Sequence, residues 1–111
     1  MKEKKQRNKR NKVWPETRVI LEYRDALASF SNTLVRTTVT VENLSASGIF
    51  VLTHEVIPSQ TKVRVIIDFN PGVIEANGVV SRTEERGVAI EFTDMDTMRL
   101  GDLIMAKLNQ H

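Results

Sequence analysis

Asn43-Leu44-Ser45-Ala46-Ser47-Gly48 separates two stretches of different patterning, and its reading decides the fold. Before it, Val35-Arg36-Thr37-Thr38-Val39-Thr40-Val41 alternates. Val35, Thr37, Val39 and Val41 share one face and Arg36, Thr38 and Thr40 the other, the period of a half-buried strand. After it, Ile49-Phe50-Val51-Leu52 is a short continuous apolar run. The six residues between therefore read as a turn joining two strands. Asn43 at the strand end and Ser45 two residues on offer acceptors for the turn's free amides, and Gly48 tolerates a positive φ.

Working outward, the same period recurs. Arg18 to Tyr23 places Val19, Leu21 and Tyr23 on one face, with Arg18, Ile20 and Glu22 on the other. Residues 24–33 form a connection that carries Leu27 and Phe30 inward, and residues 54–60 form another, with Pro58 at a turn. Lys62 to Phe69 sets Val63, Val65, Ile67 and Phe69 against Lys62, Arg64 and Asp68, and Asn70-Pro71-Gly72 has the composition of a tight turn. In Val73 to Arg82, Ile74, Ala76, Gly78 and Val80 share a face; Gly78 marks a bend or a close approach of two strands. Thr83 to Gly87 leads to a sixth strand with Val88, Ile90 and Phe92 on one side. Six strands with hairpin-length links predict a mostly β chain, an antiparallel barrel closed or nearly closed. A C-terminal helix over about residues 94–109 follows, capped by Asp94 or Asp96, with Leu100, Leu103, Ile104 and Leu108 as its apolar stripe. Gly101 in that helix marks close packing against a neighbour, and Met98 and Met105 lie off the stripe, as peripheral core or an adaptable partner surface.

At 111 residues the chain makes one domain, of ordinary soluble composition with 41% hydrophobic and 27% charged residues. The net charge of +2 hides an asymmetry. Seven Lys and Arg against Glu3 give residues 1–12 a charge of +6, which leaves −4 on the rest. With no apolar residue after Met1, this segment reads as a flexible basic arm seeking an anionic partner, and Val13-Trp14-Pro15 as its hinge onto a domain spanning residues 13–111. There is no membrane-length apolar run and no signal-peptide core, and with zero cysteines neither disulfides nor thiolate ligands form, so the expectation is a cytoplasmic protein without a membrane span. His54 and the terminal His111 have no partners at ligand spacing, so no metal is expected. Without a nucleophile and base or a Gly-rich phosphate loop, the expected function is binding, not catalysis.

The hexapeptide has the form [D/N]-x-S-x-x-G through Asn43, Ser45 and Gly48, and resembles the signature turn of PilZ domains, bacterial receptors for cyclic di-GMP. The resemblance covers nearly the whole chain, because Gly87 to Asp96 also looks like the family's final strand running into its helix. It implies a six-stranded split-type barrel with a C-terminal helix, cyclic di-GMP as ligand, and a downstream protein partner in motility, exopolysaccharide or biofilm control. It implies ligand contacts from Asn43, Ser45 and Gly48 and from arginines of the arm, with Lys9, Ser47 and Arg82 as secondary contacts. The family's arginine pair is spaced by four; here Arg7 and Arg10 stand three apart. Lys9 supplies charge but not the planar fork of an arginine. Two other readings stand beside the receptor: a PilZ-fold interaction module that binds no nucleotide, and a small barrel that binds nucleic acid through its arm. The strands carry no run of exposed aromatics for base stacking, which argues against the last.

Overall fold

The computed structural model describes residues 17–25 and 33–109. The arm with Arg7, Lys9 and Arg10, the Trp14-Pro15 hinge, and Leu27 and Phe30 of the first connection lie outside the described residues. Alternating apolar residues produce six strands: β1 Arg18–Arg24, β2 Leu34–Leu44, β3 Gly48–Leu52, β4 Lys62–Asp68, β5 Val73–Thr83 and β6 Gly87–Phe92. A helix, α1, spans Thr97–Asn109. The strands close into an antiparallel barrel in the order β1-β2-β3-β6-β5-β4.

That order differs from a simple succession of hairpins. β1-β2-β3 and β4-β5-β6 are two meanders, joined where β3 pairs with β6 and β1 with β4. The connection from Leu52 to Lys62 therefore crosses one end of the barrel, and its Ile57 is wholly buried as a plug. The Thr83 hydroxyl donates to the Ile57 carbonyl (2.5 Å), and Gln60 and Thr61 exchange backbone hydrogen bonds with Val80.

The inward set is the one the alternation predicts: Val19, Leu21 and Tyr23 from β1, Val39 and Val41 from β2, Val63, Val65 and Ile67 from β4, Ile74 and Val80 from β5, Val88 and Ile90 from β6. In β3 only Ile49 and Val51 join this cluster, so Phe50 is buried on the outer face.

At the other end, β6 leads into α1 by crossing β5. Asn77 on β5 fixes the crossing: its carbonyl accepts from the Thr93 amide (2.9 Å), while its amide and side-chain nitrogen donate to the Asp94 carboxylate (2.6 and 2.8 Å). Those two hydrogen bonds lower the Asp94 carboxyl below its ordinary 3.8. Asp94 therefore does not cap the helix. Asp96 does, its carboxylate accepting the Arg99 amide (3.0 Å), so α1 starts at Thr97 rather than near residue 94.

Leu100 joins the core, and Leu103 packs so closely on Gly72 of the β4–β5 turn that any Cβ there would overlap it. Two helical expectations are corrected. Lys107, not Leu108, completes the buried stripe: it lies at i+7 from Leu100, with its aliphatic stem available for packing, whereas Leu108 is exposed. Among the described residues nothing lies within 4 Å of a Cβ added at Gly101, so no close packing among them explains it.

Candidate functional site

The motif residues come together on the outer wall formed by β2, β3, β6 and β5. Two one-residue bulges shape this wall. Between β2 and β3 the register passes from Val41↔Val51 to Asn43↔Phe50, so Glu42 is the extra residue. Between β5 and β6 it passes from Val80↔Ile90 to Arg82↔Ala89, so Ser81 is extra. Each bulge reverses which side chains face out beyond it. Asn43, which would follow Val39 and Val41 inward, instead faces solvent, and Leu44 turns towards the core. Arg82, which would continue inward from Val80, is likewise exposed. The result is one transverse row, Asn43, Phe50, Ala89 and Arg82, across four neighbouring strands.

Above this row is an open concavity of about 260 Å³ lined by Asn43, Ser45, Ser47, Gly48, Arg82 and Glu91, with Phe50 and Ala89 beneath. Small residues make it a depression: Ala89 and Gly48 put no bulk where the neighbouring strands carry side chains.

Gly48 is required for a reason other than the expected one. None of the described glycines has positive φ. A Cβ on Gly48 would instead stand 2.5 Å from the Ile90 carbonyl oxygen, so its bareness serves the approach of β3 to β6. Gly78 does mark a close approach, its added Cβ falling 2.7 Å from the Glu91 carbonyl oxygen.

Ser45 holds the turn. Its amide donates to the Gly48 carbonyl (2.9 Å), and its hydroxyl accepts the Ser47 amide (3.3 Å) and lies 3.2 Å from the Ser47 hydroxyl. The Ser47 carbonyl in turn accepts the Phe92 amide (2.9 Å), tying the turn to the end of β6. Of the two acceptors expected for the turn amides, Ser45 does the work, and Asn43 stands on the strand with its amide towards the concavity.

The rim carries paired charge. Glu84 accepts from Arg82 Nε (2.5 Å). Arg86 is paired with Glu42, lies 3.9 Å from Glu84, and stacks over the Phe50 ring at 4.8 Å. The hydrogen bond to Glu42 raises the Arg86 guanidinium above its already high ordinary value, so it stays charged.

Asn43, Ser45, Ser47, Gly48 and Arg82 are thus gathered in one place, while Arg7, Lys9 and Arg10 fall outside the described residues. Phe50, Arg86 and Glu91 were not singled out from sequence. The only signal for Phe50 was its place in an apolar run whose neighbours both point inward. Among the described residues no group of His, Asp or Glu could hold a metal ion, and no helix is long and apolar enough to cross a membrane.

The family model for the PilZ domain matches residues 5–106, so the match includes Arg7 and Arg10 as well as the motif turn. No curated protein matches the chain. Among solved structures, the uncharacterised Legionella protein Lpg0364 superposes with a TM-score of 0.51 at 18% identity, covering 86% of this chain and 88% of that one. That likeness shows a shared fold. The chain is also similar to MrkH of K. pneumonia in complex with c-di-GMP, with a TM-score of 0.49 at 19% identity, covering 81% of this chain and 35% of MrkH. A second structure of MrkH, described as a c-di-GMP-dependent transcription regulatory factor, gives 0.44 at 22% identity, with 83% and 36% covered. The chain thus spans about a third of MrkH. It belongs to the PilZ domain family.

Proposed function

We propose that this PilZ-domain chain is a cytoplasmic receptor for cyclic di-GMP, and that the ligand lies between the β2-β3-β6-β5 wall and the basic arm. The observation that carries the reading is the concavity that gathers Asn43, Ser45, Ser47 and Gly48 from one stretch of chain and Arg82 from another. At about 260 Å³ it falls just under the roughly 300–1,000 Å³ usual for small-molecule sites, and it is open to solvent. A dinucleotide resting there needs a second surface, which the arm supplies. Arg7 and Arg10 fork onto phosphate oxygens or onto guanine O6 and N7, Lys9 adds charge, and Arg82 meets the ligand from the wall. Asn43 and Ser47 offer short hydrogen-bonding groups, and Gly48 leaves the backbone open to approach. Neutralisation by the phosphates lowers the repulsion within an arm of charge +6, which favours its closure and gives a partner protein a new surface to read.

A second reading has its own support. Arg7 and Arg10 are three apart, and Ser45 and Gly48 both serve the turn and the β3–β6 approach. A fold that retains these two residues for its own sake is equally consistent with an interaction module that binds no nucleotide.

Calorimetric titration with cyclic di-GMP, beside linear dinucleotide and GTP at two salt concentrations, separates the readings. The receptor reading expects saturable binding selective for the cyclic ligand and weaker at high salt. Arg7→Ala with Arg10→Ala should abolish that binding. Absence of heat and of any rise in melting temperature at high ligand concentration would leave the interaction module.

A further inference from the structure

We propose that Glu91 reads the Watson–Crick edge of a guanine at this site and so sets its base specificity; the inference rests on the cyclic di-GMP reading above. Glu91 is exposed on the outer face of β6 and lines the concavity. Its partners in register are Gly48 on β3 and Val79 on β5, so no cross-strand cation faces it. The other glutamates carried on strands are each paired: Glu22 with Arg36 and Arg64, Glu75 with Arg64, and Glu42 with Arg86. Glu91 forms no ion pair or side-chain hydrogen bond among the described residues.

An unneutralised carboxylate is an unfavourable neighbour for a ligand with two phosphates. Its presence within the concavity is accounted for if it faces a part of the ligand that offers only donors. Guanine has such an edge: N1–H and the N2 amino group point the same way and match the two oxygens of one carboxylate. Asn43 cannot do this alone, because its amide sets one acceptor beside one donor, and the donor would confront a donor. Arg82, whose Nε is held by Glu84, completes the arrangement with its terminal guanidinium nitrogens. Its register partner Ala89 lies two residues before Glu91, about 7 Å along β6, so a cation for phosphate or for O6 and N7 stands beside the carboxylate, with the small Ala89 between them. The β5 bulge at Ser81 turns Arg82 outward, and Gly48 leaves the space opposite Glu91 unfilled.

Adenine offers a different edge, one donor at N6 beside an acceptor at N1, which the carboxylate repels. Titrations of the whole chain and of Glu91→Gln, Glu91→Asp and Glu91→Ala with cyclic di-GMP and cyclic di-AMP therefore test the assignment. Glu91→Gln should weaken cyclic di-GMP binding by about tenfold or more and narrow the preference over cyclic di-AMP, since an amide suits the adenine edge. Glu91→Asp keeps the carboxylate and should keep the preference even where affinity falls; Glu91→Ala should lose it. The opposite sign is equally readable: if Glu91 merely repels phosphate, Glu91→Gln and Glu91→Ala bind cyclic di-GMP more tightly, and that result, or unchanged affinity, overturns the proposal. A wild-type chain that binds no cyclic di-GMP overturns the receptor reading and this inference with it, an outcome distinct from a wild type that binds and variants that bind as well.

Discussion

Two walls of one barrel do different work. The wall of β2, β1, β4 and β5 runs in unbroken register, residue against residue from Arg18↔Asp68 to Tyr23↔Val63 along the seam that closes the barrel. Its outer face carries a ladder of charge, Arg36 to Glu22 to Arg64 to Glu75, that crosses the seam. The wall of β2, β3, β6 and β5 has two bulges and backbones that approach across bare glycines. One wall pairs its outer side chains in a continuous ladder, whereas the other confines its ion pairs, Arg82 with Glu84 and Arg86 with Glu42, to the rim and leaves Asn43 and Glu91 facing an open depression. Irregular strands cost pairing, and a binding surface needs side chains that are not already satisfied by their neighbours.

The contrast breaks most severely in the core behind the regular wall. Leu21 is wholly buried, so Leu21→Ala should cost about 2–5 kcal/mol, read as a lower urea midpoint at an unchanged m-value. A loss below that range would mean the seam tolerates a cavity and is less rigid than its register implies.

On the bulged wall the sensitivity is to added atoms. Gly48→Ala drives a methyl onto the Ile90 carbonyl and should cost about 1–3 kcal/mol, and under the proposed receptor function it should weaken ligand binding as well. Gly101→Ala is the counterpart where nothing among the described residues stands within 4 Å, and should raise stability by about 0.5–1 kcal/mol through helix propensity alone. Thermal melts of the pair decide the matter: equal shifts of the same sign would contradict the close approach of β3 to β6.

The charge ladder should matter least in energy. Arg64 and Glu75 are each about half exposed, so Glu75→Gln is expected to change stability by no more than about 1 kcal/mol, and less in high salt. A larger, salt-independent loss would show that the ladder, not the core, holds this wall.

Asp94 sharpens the comparison through pH. Its folded carboxyl is lowered by the Asn77 hydrogen bonds, so its contribution is present above the unfolded carboxyl's pKa and disappears as pH falls through the lower folded value. Wild-type stability should therefore decline below about pH 4, and Asp94→Asn should flatten that decline. Parallel acid curves for the two proteins would remove Asp94 from the clasp between β5 and the path into α1.

Much of the barrel was legible because a strand's side chains alternate whatever it pairs with. Val39 and Val41, Val63 to Ile67, and Ile74 to Val80 could be assigned to the inside from their own period. The turn was legible as a motif, and the family match bears out that resemblance. The site was legible only in part: Asn43, Ser45, Ser47, Gly48 and Arg82 do meet, but Glu91 and Phe50 gave no local sign of lying beside them.

Sequence by itself determined the number of strands, their inner faces, the apolar onset of the helix and the uneven distribution of charge, all of which are properties of residues near one another along the chain. Tertiary structure decided what depends on pairs far apart: β3 beside β6 and β1 beside β4, the bulges at Glu42 and Ser81 that reverse the facing of Asn43 and Arg82, and the Ile90 carbonyl that forbids a side chain at Gly48. Alternation fixes a face only relative to its own strand. Which strand lies alongside, and where one residue too many is accommodated, is set by closing the ring so that no edge is left unpaired.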